Sequence, residues 1–126
     1  MILACAVLET GTGLALLTFP RGVVRLLLGA ELQGVGVAAG RLCGIALISF
    51  GLACWPERAA TPDRLDRRAG RALLVYNASA TAYLAGLLAL DGDRGLLLIP
   101  AIALHAVLTA VLARMVVRSR TLKENG

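Results

Sequence analysis

The chain has 126 residues, of which 58% are hydrophobic and 17% charged, with a net charge of +5 and a mean hydropathy of +0.77. This length allows one domain, and a soluble domain of this size cannot hide so much apolar surface from water. The basic residues fall in short segments between hydrophobic runs, which is typical of membrane topology and argues against nucleic-acid binding. The composition therefore predicts an integral membrane protein whose first partner is the lipid bilayer.

Residues 1–19 are the first hydrophobic run and predict the first membrane span. The run lacks the basic segment and the A-x-A cleavage site of a signal peptide, so we interpret it as a retained span. From Pro20 to Gly34, valines and leucines are interspersed with Arg21 and Arg25. This pattern is too short and too charged to cross a bilayer, and it predicts a short interfacial helix on the membrane surface.

The second predicted span covers residues 35–55 and carries a stripe of glycines along one helical face. The stripe consists of Gly36, Gly40, Gly44 and Gly51. Membrane helices gain little from burying apolar groups against each other, so close contacts between them need small residues. The stripe therefore predicts tight packing against another helix.

The remaining chain predicts two more spans. A polar segment at 56–71 is followed by a span at 72–90, a turn at 91–95, a span at 96–117 and a polar tail at 118–126. The predicted fold is thus an all-α, four-span membrane bundle in one domain, with the interfacial helix between spans one and two.

Span three carries small residues that match the glycine stripe of span two. They include Ala78, Ala82 and Gly86, with Ala85 and Ala89 on the same arc. Because a short connection joins spans two and three, we expect these spans to form an antiparallel pair.

Lysine and arginine counts predict the orientation. The 56–71 segment holds five of them and the region from Arg114 onward four, whereas the opposite side has Arg21, Arg25 and Arg94. Loops rich in these residues stay in the cytoplasm. We therefore expect both termini, the 56–71 loop and the tail to be cytoplasmic.

Four polar side chains inside the predicted spans are Glu9, Arg41, Tyr83 and His105, one from each span. An ionisable group near the bilayer centre costs roughly 2.5–3.5 kcal/mol on the insertion scale. Helical rise puts Glu9, His105 and Arg41 roughly 12, 16 and 20 Å from the inner face of the hydrocarbon core. We expect the four to meet near one level, with an ion pair between Glu9 and Arg41.

This cluster has two interpretations. It is either an internal network that fixes helix register or a polar pocket for a ligand or a proton. His105 alone suits an axial haem ligand, but a lone histidine is more often hydrogen-bonded to a neighbour. Tyr76, Asn77 and Tyr83 give span three a second polar edge, with the two tyrosines roughly opposite its alanine stripe, and we interpret this edge as one interfacial aromatic and one network member.

The three cysteines, Cys5, Cys43 and Cys54, have no metal-binding spacing and are odd in number. Cys43 and Cys54 lie on the glycine stripe, which favours a role as small residues in a helix contact. The sequence predicts no disulfide, no metal and no cofactor, and it contains no catalytic signature.

The end of span one at Pro20, LLLG at 26–29 and GRLCGIALISFGLACW at 40–55 together resemble the small bacterial four-helix membrane proteins of the DoxX-like group. The resemblance covers less than half of the chain. It implies a four-span fold in the bacterial inner membrane and no transferable catalytic residue.

A second stretch, ACAVLETGTGLAL, is similar to the small multidrug-resistance exporters, which also have an acidic residue in the first of four spans. That likeness implies that Glu9 serves both proton and cation. The long basic segment at 56–71 argues against it, because exporters that insert in both orientations need a weak charge bias.

The function that the sequence favours is a non-enzymatic inner-membrane subunit or accessory protein, which packs against a protein partner or forms a homo-oligomer. The alternatives are an intramembrane binder of a small apolar, quinone-like ligand and a small proton-coupled exporter that uses Glu9.

Overall fold

The computed structural model describes residues 1–56, 62–90 and 95–124, and side chains within 1–56, 68–90 and 95–117. These residues form the helices α1 (Ile2–Thr18), α2 (Pro20–Leu28), α3 (Val35–Ala53), α4 (Pro62–Leu90) and α5 (Leu98–Glu124), and they contain no strand. The predicted all-α class is confirmed for the described residues. Positions 57–61 of the predicted loop, 91–94 of the predicted turn and 125–126 of the predicted tail lie outside them.

Three helical segments are long and apolar enough to cross a membrane: α3, the Arg68–Leu90 part of α4 and the Leu98–Val117 part of α5. The helices α1 and α2 pass the same test only as a pair, and the pair is bent by 114°. By length and composition the described chain therefore contains three candidate spans, or four if the bent pair counts as one.

The bend between α1 and α2 follows from local sequence. Phe19 leaves the helical region, with φ −136° and ψ 57°, because a residue before proline is disfavoured there. Pro20 then opens α2, where its missing N–H is not needed. Gly29 ends α2 in the left-handed region at φ 75°, and its N–H donates to the Arg25 carbonyl at 2.9 Å.

Two helices extend beyond the spans expected from hydropathy. α4 begins at Pro62, inside the segment expected to be a polar loop, and α5 continues to Glu124, through most of the expected tail. Hydropathy marks where a helix enters the bilayer, whereas backbone hydrogen bonding can continue into water. The described parts of both segments are therefore helical as well as polar.

α3 packs against α1, through the glycines of its stripe. A Cβ atom built on Gly44 would lie 2.6 Å from the Gly13 carbonyl oxygen, and one built on Gly51 would lie 2.8 Å from the Ala6 carbonyl oxygen. A Cβ atom built on Gly36 would instead meet the Leu32 side chain, and one built on Gly40 would meet Pro20 and Leu32. The expected antiparallel pairing of spans two and three is wrong, because Gly13 gives α1 the close-approach site that the stripe needs.

α4 packs against α5, and the two helix pairs meet mainly between α1 and α4. The fully buried residues at this meeting point come from three helices: Cys5 and Ala6 of α1, Leu73 of α4 and Leu112 of α5. Cys54, next to the end of α3, completes the cluster. This small core fixes the relative positions of the helices that carry the polar side chains described below.

α2 lies against the beginning of α5. The Leu97 amide donates to the Leu26 carbonyl at 2.7 Å, and Gly95 approaches the Leu27 backbone so closely that a side chain there would collide with it. The α1–α2 bend and the start of α5 are therefore at the same end of the molecule.

Candidate functional site

Glu9 is the one acidic side chain of α1, and only 3% of its surface is exposed. The Tyr76 side chain of α4 lies close to the Glu9 carboxyl group. A carboxyl group buried in this way needs a polar neighbour, because burial without a hydrogen bond is costly. Tyr76 thus joins α1 to α4 through a polar contact just above the small core.

The Tyr76 ring connects this contact to two other helices. Its centroid lies 5.4 Å from that of Phe50 on α3 and 5.9 Å from that of His105 on α5, the latter in an edge-on arrangement. Both distances are within the range of favourable aromatic pairs. One tyrosine therefore touches aromatic or polar groups from the three other long helices.

His105 is held by Asn77, which is completely buried. The Asn77 amide nitrogen donates to the Leu73 carbonyl at 2.8 Å, so its amide oxygen is the atom that faces His105 Nδ1, also at 2.8 Å. An oxygen can only accept, so Nδ1 carries the hydrogen, and in the neutral ring Nε2 is an acceptor. Nε2 has no hydrogen-bond partner among the described residues, and it is an accessible atom, because no buried polar side-chain atom there lacks a partner.

An apolar cavity of about 300 Å³ adjoins His105. Its walls come from α1 (Thr12), α2 (Val23 and Leu27), α4 (Leu84) and α5 (Leu104 and His105). This volume is at the lower end of the range for ligand pockets and is about twice the ~150 Å³ that holds benzene in an engineered cavity. The site is therefore large enough for a small organic molecule.

The structure brings together two of the four residues that sequence reasoning grouped. Glu9 and His105 both adjoin Tyr76, whereas Arg41 is exposed and Tyr83 is 67% exposed. No ion pair joins Glu9 to Arg41 among the described side chains. The functional role of the four-residue set stays a prediction, and the geometry adds Tyr76 and Asn77 to Glu9 and His105.

The cysteines do not form a metal site in the described part of the chain. Cys5 and Cys54 are buried free thiols near Glu9, and Cys43 is an exposed free thiol. No group of three His, Cys, Asp or Glu residues among the described positions is arranged to hold a metal ion.

Comparison with family models, curated proteins and solved structures finds no match to this chain. The resemblances to the DoxX-like group and to the small exporters therefore stay predictions.

Proposed function

We propose that this protein is a small, non-enzymatic subunit of the bacterial inner membrane, which crosses the bilayer four times and assembles with a second copy of itself through α4. The observation that carries the proposal is a face of small residues on α4 with nothing packed against it. The experiment below distinguishes this arrangement from one in which a helix of a different protein covers the same face.

The face consists of Ala78, Ala82, Ala85 and Ala89, all of which are exposed, together with Gly86. A Cβ atom built on Gly86 would meet nothing within 4 Å. The buried residues of α4, such as Leu73 and Leu84, lie on the opposite side of the helix, towards α5. The small-residue face of α4 thus takes no part in packing within the described chain.

A comparable stripe of small residues on α3 is covered by another helix, unlike the face on α4. There, Gly44 and Gly51 occupy a comparable stripe and are covered by α1. Helices in lipid associate where small residues let backbones approach, and residues four apart lie on one face. A second copy of the chain presents the same small residues, so two copies can approach each other closely through this face.

The length of α1 and the contact between α2 and the start of α5 support four-span topology. α1 is 17 residues long, about the shortest length that spans a hydrocarbon core. The α2 helix that follows it is bonded to the start of α5 through Leu26 and Leu97. A four-span chain needs these two connections on one side of the membrane, and the distribution of basic residues favours the outer side.

The test compares Ala82→Leu with Ala106→Leu, which changes an alanine on α5 that is also exposed. Donor- and acceptor-labelled protein is reconstituted in lipid vesicles, and energy transfer is followed as lipid dilutes the protein. We expect the wild type and Ala106→Leu to associate, and Ala82→Leu to lose association at least tenfold.

Native mass spectrometry of gently solubilised membranes then shows whether the partner is a second copy. A wild type that stays monomeric in both experiments overturns the proposal, and a different chain bound in place of the second copy overturns self-association.

A further inference from the structure

The cavity beside His105 is distinct from the small-residue face of α4, and its chemistry specifies a ligand. Apolar side chains from α2, α4 and α5 form most of its wall, including Val23, Leu27, Leu84 and Leu104. The cavity is half open, and an apolar lining of this kind favours apolar molecules of matching size. The bulk of any ligand held there must therefore be apolar and small.

His105, one of the residues that line the cavity, has a ring nitrogen that the described residues leave without a hydrogen bond. His105 Nδ1 is engaged by Asn77, which fixes the tautomer, and Nε2, which has no partner among the described residues, is an accessible atom and not a buried one. Asn77 is itself locked by its bond to the Leu73 carbonyl. The His105 ring is consequently held in one orientation with its acceptor available, an arrangement that favours a ligand with a donor group.

Thr12 supplies a second polar atom, and it differs from the other threonines in the described side chains. Thr10, Thr18, Thr81 and Thr109 all donate their hydroxyl to a carbonyl four residues earlier in their own helix. Thr12 makes no such bond, and its side chain lines the cavity. Its hydroxyl is thus free to bond a ligand instead of its own backbone.

We propose that this cavity binds a small apolar phenol, whose hydroxyl donates to His105 Nε2 and whose ring fills the space between α2, α4 and α5. A phenol combines a flat apolar body with a single strong donor, which matches one imidazole acceptor in a wall whose other polar side chain is Thr12. The Thr12 hydroxyl donates to the phenol oxygen. No covalent step takes part, since the ligand is held by these two bonds and by apolar contact.

The experiment uses the full chain in one detergent, with 4-propylphenol as the probe and 4-propylanisole as its matched control. The anisole has the same body with a methyl group in place of the donor hydrogen. His105 is the only histidine of the chain, so ¹⁵N-histidine labelling gives two ring-nitrogen signals without further assignment. We expect Nδ1 to report a protonated nitrogen, and the Nε2 signal to move on titration with the phenol but not with the anisole.

Affinities for the two probes are then measured by calorimetry on the wild type and three variants. The wild type should bind the phenol about tenfold more tightly than the anisole, as expected for one hydrogen bond. Ala101→Leu, which fills the cavity wall, should abolish binding of both probes. Thr12→Val should weaken phenol binding several-fold with little effect on the anisole, and Ala106→Leu, outside the cavity, should bind as the wild type does.

Three results would overturn the proposal. Equal affinity for phenol and anisole would show that His105 Nε2 takes no donor. Unchanged binding by Ala101→Leu would show that the probe partitions into detergent or another surface. A protonated Nε2 in the free protein would remove the acceptor itself. All three measurements are independent of self-association through α4, so the two proposals can fail separately.

Discussion

Replacing Gly44 by alanine should push α1 and α3 apart. The new Cβ atom would lie 2.6 Å from the Gly13 carbonyl oxygen and 2.7 Å from the Leu17 amide nitrogen. Both of these are backbone atoms, so no side-chain rotation can relieve the contact. Gly86→Ala is the matched control, because Gly86 also lies within a helix and a Cβ there meets nothing within 4 Å.

The change in the free energy of unfolding follows from two opposing effects. Ordinary contact begins at 3.4 Å, so the interface around Gly44 must open by about 0.8 Å. A gap of that size forfeits a quarter to a half of the dispersion energy of the atoms involved, which puts the cost near the upper end of about 1–3 kcal/mol for overpacking. Alanine recovers about 1 kcal/mol of helix propensity at either position. We expect Gly44→Ala to destabilise by about 2 kcal/mol and Gly86→Ala to stabilise by about 1 kcal/mol.

The assay is equilibrium unfolding of both variants in one detergent, at a protein concentration where the wild type is monomeric. Monomeric protein is needed because Gly86 also lies on the proposed association face. A difference of about 3 kcal/mol between the variants is expected. Equal free energies of unfolding for the two variants would refute the close α1–α3 contact, and a stabilised Gly44→Ala would show that the stripe faces lipid.

Two further predictions concern polar residues. In a cysteine-free background, Glu31→Cys should be labelled only from outside the cell and Arg68→Cys only from the cytoplasm, since both native side chains are exposed. Labelling of either site from both sides would contradict the orientation. Glu9→Gln and Tyr76→Phe should show a coupling energy of about 0.5–3 kcal/mol in thermal unfolding, whereas Glu9→Gln and Arg41→Met should be additive. Additive effects at Glu9 and Tyr76, together with coupling between Glu9 and Arg41, would instead support the predicted Glu9–Arg41 ion pair.

Sequence patterns located the helices well because the relevant signals are local. The apolar run expected at 35–55 corresponds to α3 at Val35–Ala53, and the break expected at Pro20 separates α1 from α2. Proline geometry, helix-ending glycine and hydropathy each act within a few residues. They require no knowledge of which helices are neighbours.

Helix pairing could not be obtained in the same way. The glycine stripe of α3 identified a close contact, but small residues are present on both α1 and α4. Gly13 of α1 faces Gly44, whereas the alanines of α4 remain uncovered. Composition of a face measures how closely a partner can approach, and it does not identify that partner.

The polar cluster shows why depth in the bilayer alone grouped the wrong residue of span three with His105. Depth along the bilayer grouped Tyr83 with His105, but depth says nothing about direction around a helix. Tyr83 follows Asn77 by six residues, which at about 100° per residue puts it roughly 120° away from the face of α4 that packs on α5. An antiparallel hairpin pairs residues roughly equally distant from its turn, and by that measure Tyr83 matches His105: Tyr83 lies seven residues before the end of α4 at Leu90, and His105 lies seven residues after the start of α5 at Leu98. Depth therefore selects Tyr83, and only the helical angle, once the α4–α5 pairing is known, excludes it in favour of Asn77.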